Sequence, residues 1–207
     1  PSNAILVVTG DVEPKEVFAL AQKHFGPVPA RPPVKADAVT EPPQKSERRA
    51  RIALTAEVPN LLMGWHVPVH ASAGRGDIAE WEPYALSVLG GVLDGGRAAR
   101  FERELVRENK IASSIGLDYS AVSRSPTMLL IEGTPANGHT AEELEQAIRA
   151  RIVRIRDEPV SAEELKRVLV AAAARKLEVS PGEIDWAGEC CAVVGTDKSL
   201  NFAQVVE

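Results

Sequence analysis

A cluster of prolines divides this chain and limits what the residues on either side can fold into. Six prolines lie between Gly26 and Ser46, at positions 27, 29, 32, 33, 42 and 43. Proline has no backbone N–H and a fixed φ, so this density excludes a helix or a central strand and favours an extended, semi-rigid connector. We therefore predict a linker over residues 26–46, between an N-terminal segment of residues 1–25 and a domain of residues 47–207.

The N-terminal segment is predicted to hold one strand and one helix. Residues 4–9 are a continuous β-prone run that ends at Gly10, and Pro14 opens a segment of helical apolar spacing that reaches Phe25. Beyond the linker, alternation predicts a strand over residues 49–57. An apolar run predicts a neighbouring strand over residues 61–67.

The remaining elements predict an α+β fold with a mainly antiparallel sheet that helices cover on one face. Asp77, Thr140 and Ser161 stand where N-caps are expected. Helices are predicted over residues 78–93, 97–108, 141–156, 162–178 and 186–194, and a strand hairpin over residues 111–121 and 127–134. Three tryptophans fall on apolar faces and are interpreted as anchors of the core or of a domain interface: Trp65, Trp81 and Trp186.

Composition excludes several classes of partner. The net charge of −5, with 26% charged residues, gives no electrostatic reason to bind nucleic acid or an anionic membrane. The sequence contains neither a membrane-length apolar run nor a secretory signal. The compartment therefore stays open, with the bacterial periplasm or cytoplasm as the alternatives if the source is bacterial. Cys190 and Cys191 are adjacent, so we interpret them as buried or incidental thiols and expect no disulfide framework.

The histidines do not form a zinc-binding helix. A metallopeptidase helix needs two histidines one turn apart, with a glutamate to polarise the attacking water. His66 and His70 have that spacing, but Pro68 between them excludes a helix and no carboxylate accompanies them. We expect His66 to end an apolar run and His70 to lie in the following loop, and we assign no metal ligand and no catalytic residue to this chain.

Two other constellations are also interpreted as structural. Gly90-Gly91 and Gly95-Gly96 lie outside any phosphate-binding glycine motif, so we expect close helix contacts and a helix stop. Ser113 and Ser114 are not part of a nucleophile elbow, so a serine hydrolase is not favoured.

Several segments resemble the pitrilysin/insulinase family of zinc metallopeptidases, which includes the mitochondrial processing peptidases. The likeness extends over residues 3 to about 178, and the order and spacing of its parts make it specific. The segments are NAILVVTGDV at residues 3–12, ALAQKHFGPVP at 19–29, LMGWHVP at 62–68, LDGGR at 93–97 and ELVRENKIASS at 104–114.

The resemblance implies that this chain is the C-terminal, non-metal half of such a peptidase. In the family, two domains of similar fold face each other as a clam shell, and the zinc lies in the first. Residues 1–25 would be the tail of that upstream domain, and residues 47–207 a C-terminally truncated second domain. Zinc is thus expected upstream of this chain, and the parent protein would be a zinc metallopeptidase while this chain alone is inactive. The alternative is a non-catalytic partner or core-type scaffold subunit of the same fold.

The resemblance also points to candidate substrate contacts. Some members of the family contact the substrate through an arginine and a tyrosine of this half, and those positions correspond to Val106 and Ser113. We therefore name Arg97, Arg107 and Ser113 as candidate substrate-binding residues. The alternative for Arg97 and Arg107 is a structural role, in which each forms a surface ion pair with Glu104 or Glu108.

The implied partners are the upstream metal-bearing domain or a partner subunit, and peptide substrates. The family's second domain ends with further helices and a strand, so the sheet of this chain should lack one partner strand. We expect residues 4–9 to fill that gap, either in their own molecule or in a neighbour as a swapped homodimer.

Overall fold

The computed structural model describes residues 4–29, 44–123, 125, 127–188 and 190–206. The chain divides into two compact units, Pro1–Ala53 and Leu54–Glu207. Most of the predicted linker, residues 30–43, lies outside the described residues. The domain limits drawn from the sequence therefore stay predictions.

The described part of the first unit contains one helix, α1 (Pro14–Phe25), and Pro14 occupies its first turn as predicted. The predicted strand over residues 4–9 is wrong, because these residues form no strand. Their apolar side chains are exposed, with Ile5 at 90% and Val7 at 78%. A strand needs a neighbour for its backbone N–H and C=O groups, and the described part of this unit supplies none. The expectation that this run completes a sheet in its own molecule fails with it.

Three antiparallel strands form the main sheet of the second unit: β1 (Leu61–Val67), β2 (Ala112–Asp118) and β3 (Thr127–Pro135). Their order is β1-β3-β2, so β3 is central and the predicted pairing of β2 with β3 is confirmed. The predicted strand over residues 49–57 is wrong, since none of these residues is in a strand. Its alternating residues Ile52 and Leu54 are exposed, and with no apolar surface to cover them the alternation does not specify a strand.

Four helical segments accompany this sheet: α2 (Glu82–Asp94), a π-helix (Glu102–Glu108), α3 (Ala141–Asp157) and α4 (Ala162–Leu177). The caps predicted for α3 and α4 are confirmed, because the hydroxyls of Thr140 and Ser161 accept hydrogen bonds from the backbone N–H three residues ahead. Asp77 is not a cap. Helix α2 begins only at Glu82, after a turn.

The main core lies between one face of the sheet and three of these segments, α2, the π-helix and α3. Side chains alternate between the faces of a strand, so Met63, Leu129 and Ile131 point inward. The residues that meet them from the helices are Leu93, Phe101, Leu105, Leu144 and Ile148. On the opposite face Leu62 is 63% exposed and Met128 38% exposed. The structure is α+β with an antiparallel sheet, as the sequence predicts.

A second antiparallel sheet of three short strands packs against α4: β4 (Ile184–Trp186), β5 (Cys190–Val193) and β6 (Ser199–Asn201), followed by α5 (Phe202–Val206). The predicted helix over residues 186–194 is therefore wrong. Burial alternates along β5, with Cys191 and Val193 inside. A short apolar run such as this one does not distinguish a helix from a strand.

The two cysteines are free thiols on opposite faces of β5, so the absence of a disulfide between them is as expected. Cys191 is fully buried, and its Sγ lies 3.9 Å from the backbone oxygen of Leu169. Trp65 and Trp186 pack against the two cores. Trp81 is 67% exposed, so it is not a core residue, and its role as a domain-interface anchor stays a prediction.

No helix in the described ranges combines the length and apolar character needed to cross a membrane.

Candidate functional site

The candidate substrate contacts lie where the π-helix passes into β2. The wider turn of this helix is closed by a bond from the N–H of Asn109 to the C=O of Glu104, at 3.0 Å. Lys110 then takes a left-handed conformation with φ 52°, and β2 begins at Ala112. π-Helical turns are rare and are frequently found at functional sites. The sequence predicts an ordinary helix here and gives no signal for the wider turn.

The structure brings Arg97 and Arg107 together. The Nη2 of Arg107 donates a hydrogen bond of 2.6 Å to the backbone oxygen of Arg97, across ten residues of chain. Both residues are exposed. The side chain of Arg107 thus binds the backbone at Arg97. The ion pairs of Glu104 and Glu108 are with other arginines, so the surface pairs named as the alternative do not form.

Ser113 and Val106 have structural contacts in this passage. The β2–β3 register shifts between Ala112 and Ser114, so Ser113 is the extra residue of a β-bulge. Its hydroxyl donates to the backbone oxygens of Thr134 at 3.2 Å and Pro135 at 3.4 Å. The side chain of Val106 packs against the main core. The hydroxyl of Ser113 is thus already bonded to β3, although the residue is exposed.

The buried Glu104 of the π-helix is the centre of an ion cluster that sequence analysis did not identify. The carboxylate of Glu104 is 7% exposed and accepts from Arg103 at 2.9 Å, Arg151 at 2.6 Å and Arg154 at 3.0 Å. Burial alone raises the pKa of Glu104, but the hydrogen bonds from Arg103 and Arg151 and the charge of Arg154 hold that pKa below its usual value. The cluster fastens α3 to the π-helix.

A second pair extends this cluster to α4. Arg100 binds both carboxylate oxygens of Glu164, at 2.9 Å and 2.7 Å, and both side chains are largely buried. The hydrogen bond and charge of Arg100 hold the pKa of Glu164 below its usual value. Together the two sets fix the position of the segment that carries the candidate contacts.

The histidines and glycines behave as the sequence predicts. His66 lies in β1, and His70 begins a short 3₁₀ turn beyond Pro68. A Cβ on Gly91 would clash with Cγ1 of Val168, which confirms a close contact between α2 and α4. The described ranges contain no group of three or more histidine, cysteine, aspartate or glutamate side chains placed to hold a metal ion.

Comparison with known proteins relates this fold to a protease family. Residues 1–170 match the family model described as the peptidase M16 inactive domain. The chain is 25% identical over 173 residues to the zinc protease PqqE of Helicobacter pylori, a match that covers 82% of this chain and 37% of that protein.

A solved structure shares the fold. The crystal structure of a protease from Helicobacter pylori superposes with a TM-score of 0.64 at 21% identity, over 82% of this chain and 39% of that one. The chain thus spans about two fifths of the length of these relatives.

Proposed function

This chain belongs to the family of peptidase M16 inactive domains, and we propose that it is the C-terminal half of a zinc metalloendopeptidase, which encloses and binds peptide substrate. In this proposal the zinc and the attacking water belong to an upstream domain or a partner subunit. The family match carries the proposal. The similarity to a zinc protease supports it.

The residues that the structure describes do not fit a zinc ion. His66 and His70 lie in different elements with no carboxylate beside them in the described ranges, and a catalytic zinc site needs three protein ligands. Val106 and Ser113 occupy the positions where relatives would present a guanidinium and a phenol. A partly buried valine and a serine hydroxyl bonded to β3 do not stabilise a developing oxyanion as those groups would. We therefore derive no catalytic step from this chain.

An unpaired apolar surface in the first unit supports pairing with another domain. None of the residues of α1 is buried, and Phe18 and Phe25 are 75% and 56% exposed. The preceding residues 4–9 are equally exposed and have the composition of a strand. Exposed apolar surface of this kind marks interaction sites. In the proposal, the N-terminal segment of residues 1–25, with its exposed apolar run and α1, completes the upstream metal-bearing domain.

Substrate contact is assigned to the uncovered sheet face and to Arg97 and Arg107. Leu62 and Met128 give that face an apolar character, and the side chains of Met128 and Leu130 lie over Gly64 of β1, so a peptide on this face would contact apolar side chains. Arg97 and Arg107 supply donors for the carbonyls or a carboxylate of a peptide. Ser113 contributes chiefly by holding the bulge that starts β2.

The alternative function is a non-catalytic partner or scaffold subunit of the same fold. The valine at position 106 and the serine at position 113 favour it, because a subunit that only binds does not need the guanidinium and phenol of active relatives. The two functions differ in whether peptide binding is coupled to cleavage in the native assembly.

Peptide binding and cleavage by the 207-residue chain test the proposal. We expect the chain to bind an extended fluorescent peptide and to leave a fluorogenic peptide uncleaved, with or without added zinc. The variant Arg107→Ala should weaken peptide binding by roughly fivefold to tenfold, the weight of one charge-assisted hydrogen bond. Arg156→Ala, at an exposed position of α3, is the matched control. Chelator-sensitive cleavage by the chain alone would contradict the proposal.

A further inference from the structure

The turn between β3 and α3 contains the one Asn-Gly pair of the sequence, Asn137 and Gly138. The N–H of His139 donates to the backbone oxygen of Ala136 at 3.0 Å, so this pair occupies the centre of a β-turn. Gly138 has φ 89°, a left-handed conformation that glycine adopts without strain. The pair forms the turn, and it also brings together two groups that can react with each other.

The reacting groups are the asparagine carboxamide and the backbone nitrogen of the glycine. Bonding between them closes a five-membered ring, and the step is intramolecular, so it needs no loss of translational entropy. A side chain on the following residue would crowd that nitrogen, and glycine has none. Asparagine is accordingly one of the thermolabile residues of proteins. In a folded protein, ring closure depends on how free the two groups are.

Both groups are free in this turn. Asn137 and Gly138 are exposed, and a Cβ added at Gly138 would find no atom within 4 Å. Among the described residues, no hydrogen bond involves the carboxamide of Asn137 or the N–H of Gly138. The carboxamide can therefore turn towards the glycine nitrogen, and water can reach the ring that forms.

The other described asparagines lack these conditions. Asn60 donates through Nδ2 to Glu132 at 2.7 Å, and Asn201 accepts from the N–H of Gln204 at 2.9 Å. Each of these two, and Asn109 as well, is followed by a residue with a side chain. Ring closure is thus hindered at all three.

The fold also blocks the Asp-Gly pair that ends α2. An aspartate can close the same ring, and Asp94 precedes a glycine. There the N–H of Gly95 donates to the backbone oxygen of Gly91 at 2.8 Å. The Oδ2 of Asp94 accepts from the N–H of Leu117 at 2.8 Å. Both reacting groups are therefore held at this pair, in contrast to the turn before α3.

We propose that Asn137 is a site of spontaneous modification in the folded protein, where a succinimide formed with Gly138 converts it to isoaspartate and aspartate. The nitrogen of Gly138 loses its proton and bonds to Cγ of Asn137, while the carboxamide nitrogen takes up a proton and leaves as ammonia. Water then opens the ring. Breaking the bond from that nitrogen to the main-chain carbonyl carbon gives isoaspartate, and breaking its bond to Cγ gives aspartate. The reaction needs neither peptide nor zinc, so it is independent of the proposed function.

The modification adds a negative charge ahead of α3 and, in isoaspartate, one atom to the backbone. The longer backbone changes the spacing that the bond between His139 and Ala136 needs. The N–H of Ala136 also donates to the backbone oxygen of Ile111 at 2.8 Å, just before β2 begins. Isoaspartate at this position should therefore loosen the contact between the turn and the start of β2.

Prolonged incubation of the 207-residue chain at neutral and at mildly alkaline pH tests this site. Digestion and mass spectrometry measure the loss of each asparagine, and electron-transfer fragmentation separates isoaspartate from aspartate. We expect Asn137 to be lost at least about tenfold faster than Asn60 or Asn201, which corresponds to about 1.4 kcal/mol of activation free energy. The rate should rise with pH, because the attacking nitrogen must lose its proton. Asn137→Gln, whose ring would be one atom larger, should stay unmodified over the same time.

Amide hydrogen exchange measures the structural effect. The amide of Ala136 should exchange faster in the incubated chain than in Asn137→Gln treated in the same way. Loss of Asn137 no faster than that of Asn60, or aspartate without isoaspartate, would overturn the proposal. Isoaspartate formed equally fast at Asp94 would also overturn it, because the hydrogen bonds of the fold would then not decide which pair reacts.

Discussion

At the scale of single residues, removing the charge of Glu104 tests most strongly what holds the π-helix in place. Glutamine keeps the shape of the side chain but leaves Arg103, Arg151 and Arg154 around a neutral group. Breaking a buried ion pair on one side typically costs about 3–5 kcal/mol. We expect Glu104→Gln to lower the free energy of unfolding by about 3 kcal/mol in urea titrations.

Glu108→Gln is the matched control for that substitution. Glu108 is 58% exposed and lies 3.9 Å from Arg103, a distance typical of a weak surface pair. Its loss should change the unfolding free energy by less than about 0.5 kcal/mol. Equal effects of the two substitutions would show that the buried cluster does not stabilise the fold.

The lowered pKa values of Glu104 and Glu164 predict the acid sensitivity of the protein. Each carboxylate has a lower pKa in the folded chain than the ordinary value of 4.5. Folding therefore favours the ionised form, so their contribution is complete above that ordinary value and is lost as the pH falls through the lowered one. The unfolding free energy of the unaltered chain should fall below pH 4.5. The double variant Glu104→Gln/Glu164→Gln should be less stable at neutral pH and show a smaller fall, and a parallel curve would contradict this account.

At the scale of elements, the contact between α2 and α4 depends on one glycine. A Cβ at position 91 would clash with Cγ1 of Val168, whose β-branched side chain is stiff in a helix. We expect Gly91→Ala to destabilise the protein by about 1–3 kcal/mol despite the better helix propensity of alanine. Val168→Ala in the same chain should restore part of that loss, which a double-mutant thermal-unfolding cycle would measure.

Gly90→Ala is the control one residue earlier. There the added Cβ would lie 3.3 Å from Cδ2 of Leu117, the end of a more flexible side chain. This variant should be close to neutral, because a helix-propensity gain of up to about 1 kcal/mol offsets the tighter contact. If both alanine variants are equally stable, α2 and α4 do not depend on close approach.

The elements that the sequence predicts correctly are those set by local contacts. The cap of α3 joins Thr140 to Glu143, three residues apart, so its signal lies within one turn. The cluster around Glu104 could not be predicted in the same way, because Arg151 and Arg154 reach it from 47 and 50 residues away. The strand predicted over residues 49–57 is wrong because a local pattern was present without the long-range partner that a strand needs. Its local alternation is real, but no sheet in the described residues pairs with it.

The candidate site shows the same division. The resemblance to zinc peptidases made Arg97, Arg107 and Ser113 candidate contacts, and the first two are joined by a hydrogen bond. The bulge at Ser113 and the π-helix depend on how β2 pairs with β3, which residue type alone does not reveal.

At the scale of the whole molecule, the two units differ in how much of their apolar side-chain surface they bury. The second unit has two cores, one beneath each sheet. In the described part of the first unit, Ile5, Val7 and Phe18 are all at least 75% exposed. A domain must bury its apolar face to be stable. This contrast supports an N-terminal segment that belongs with another domain.

The most direct test of the central claim is the zinc content and peptidase activity of the native protein that contains these residues, measured beside the 207-residue chain. The account predicts zinc and chelator-sensitive cleavage of a fluorogenic peptide in the native assembly, and neither in the chain alone. If the native protein contains no zinc and cleaves no peptide, the claim that this chain is half of a peptidase is contradicted and the scaffold alternative is favoured. Zinc-dependent cleavage by the isolated chain would contradict both.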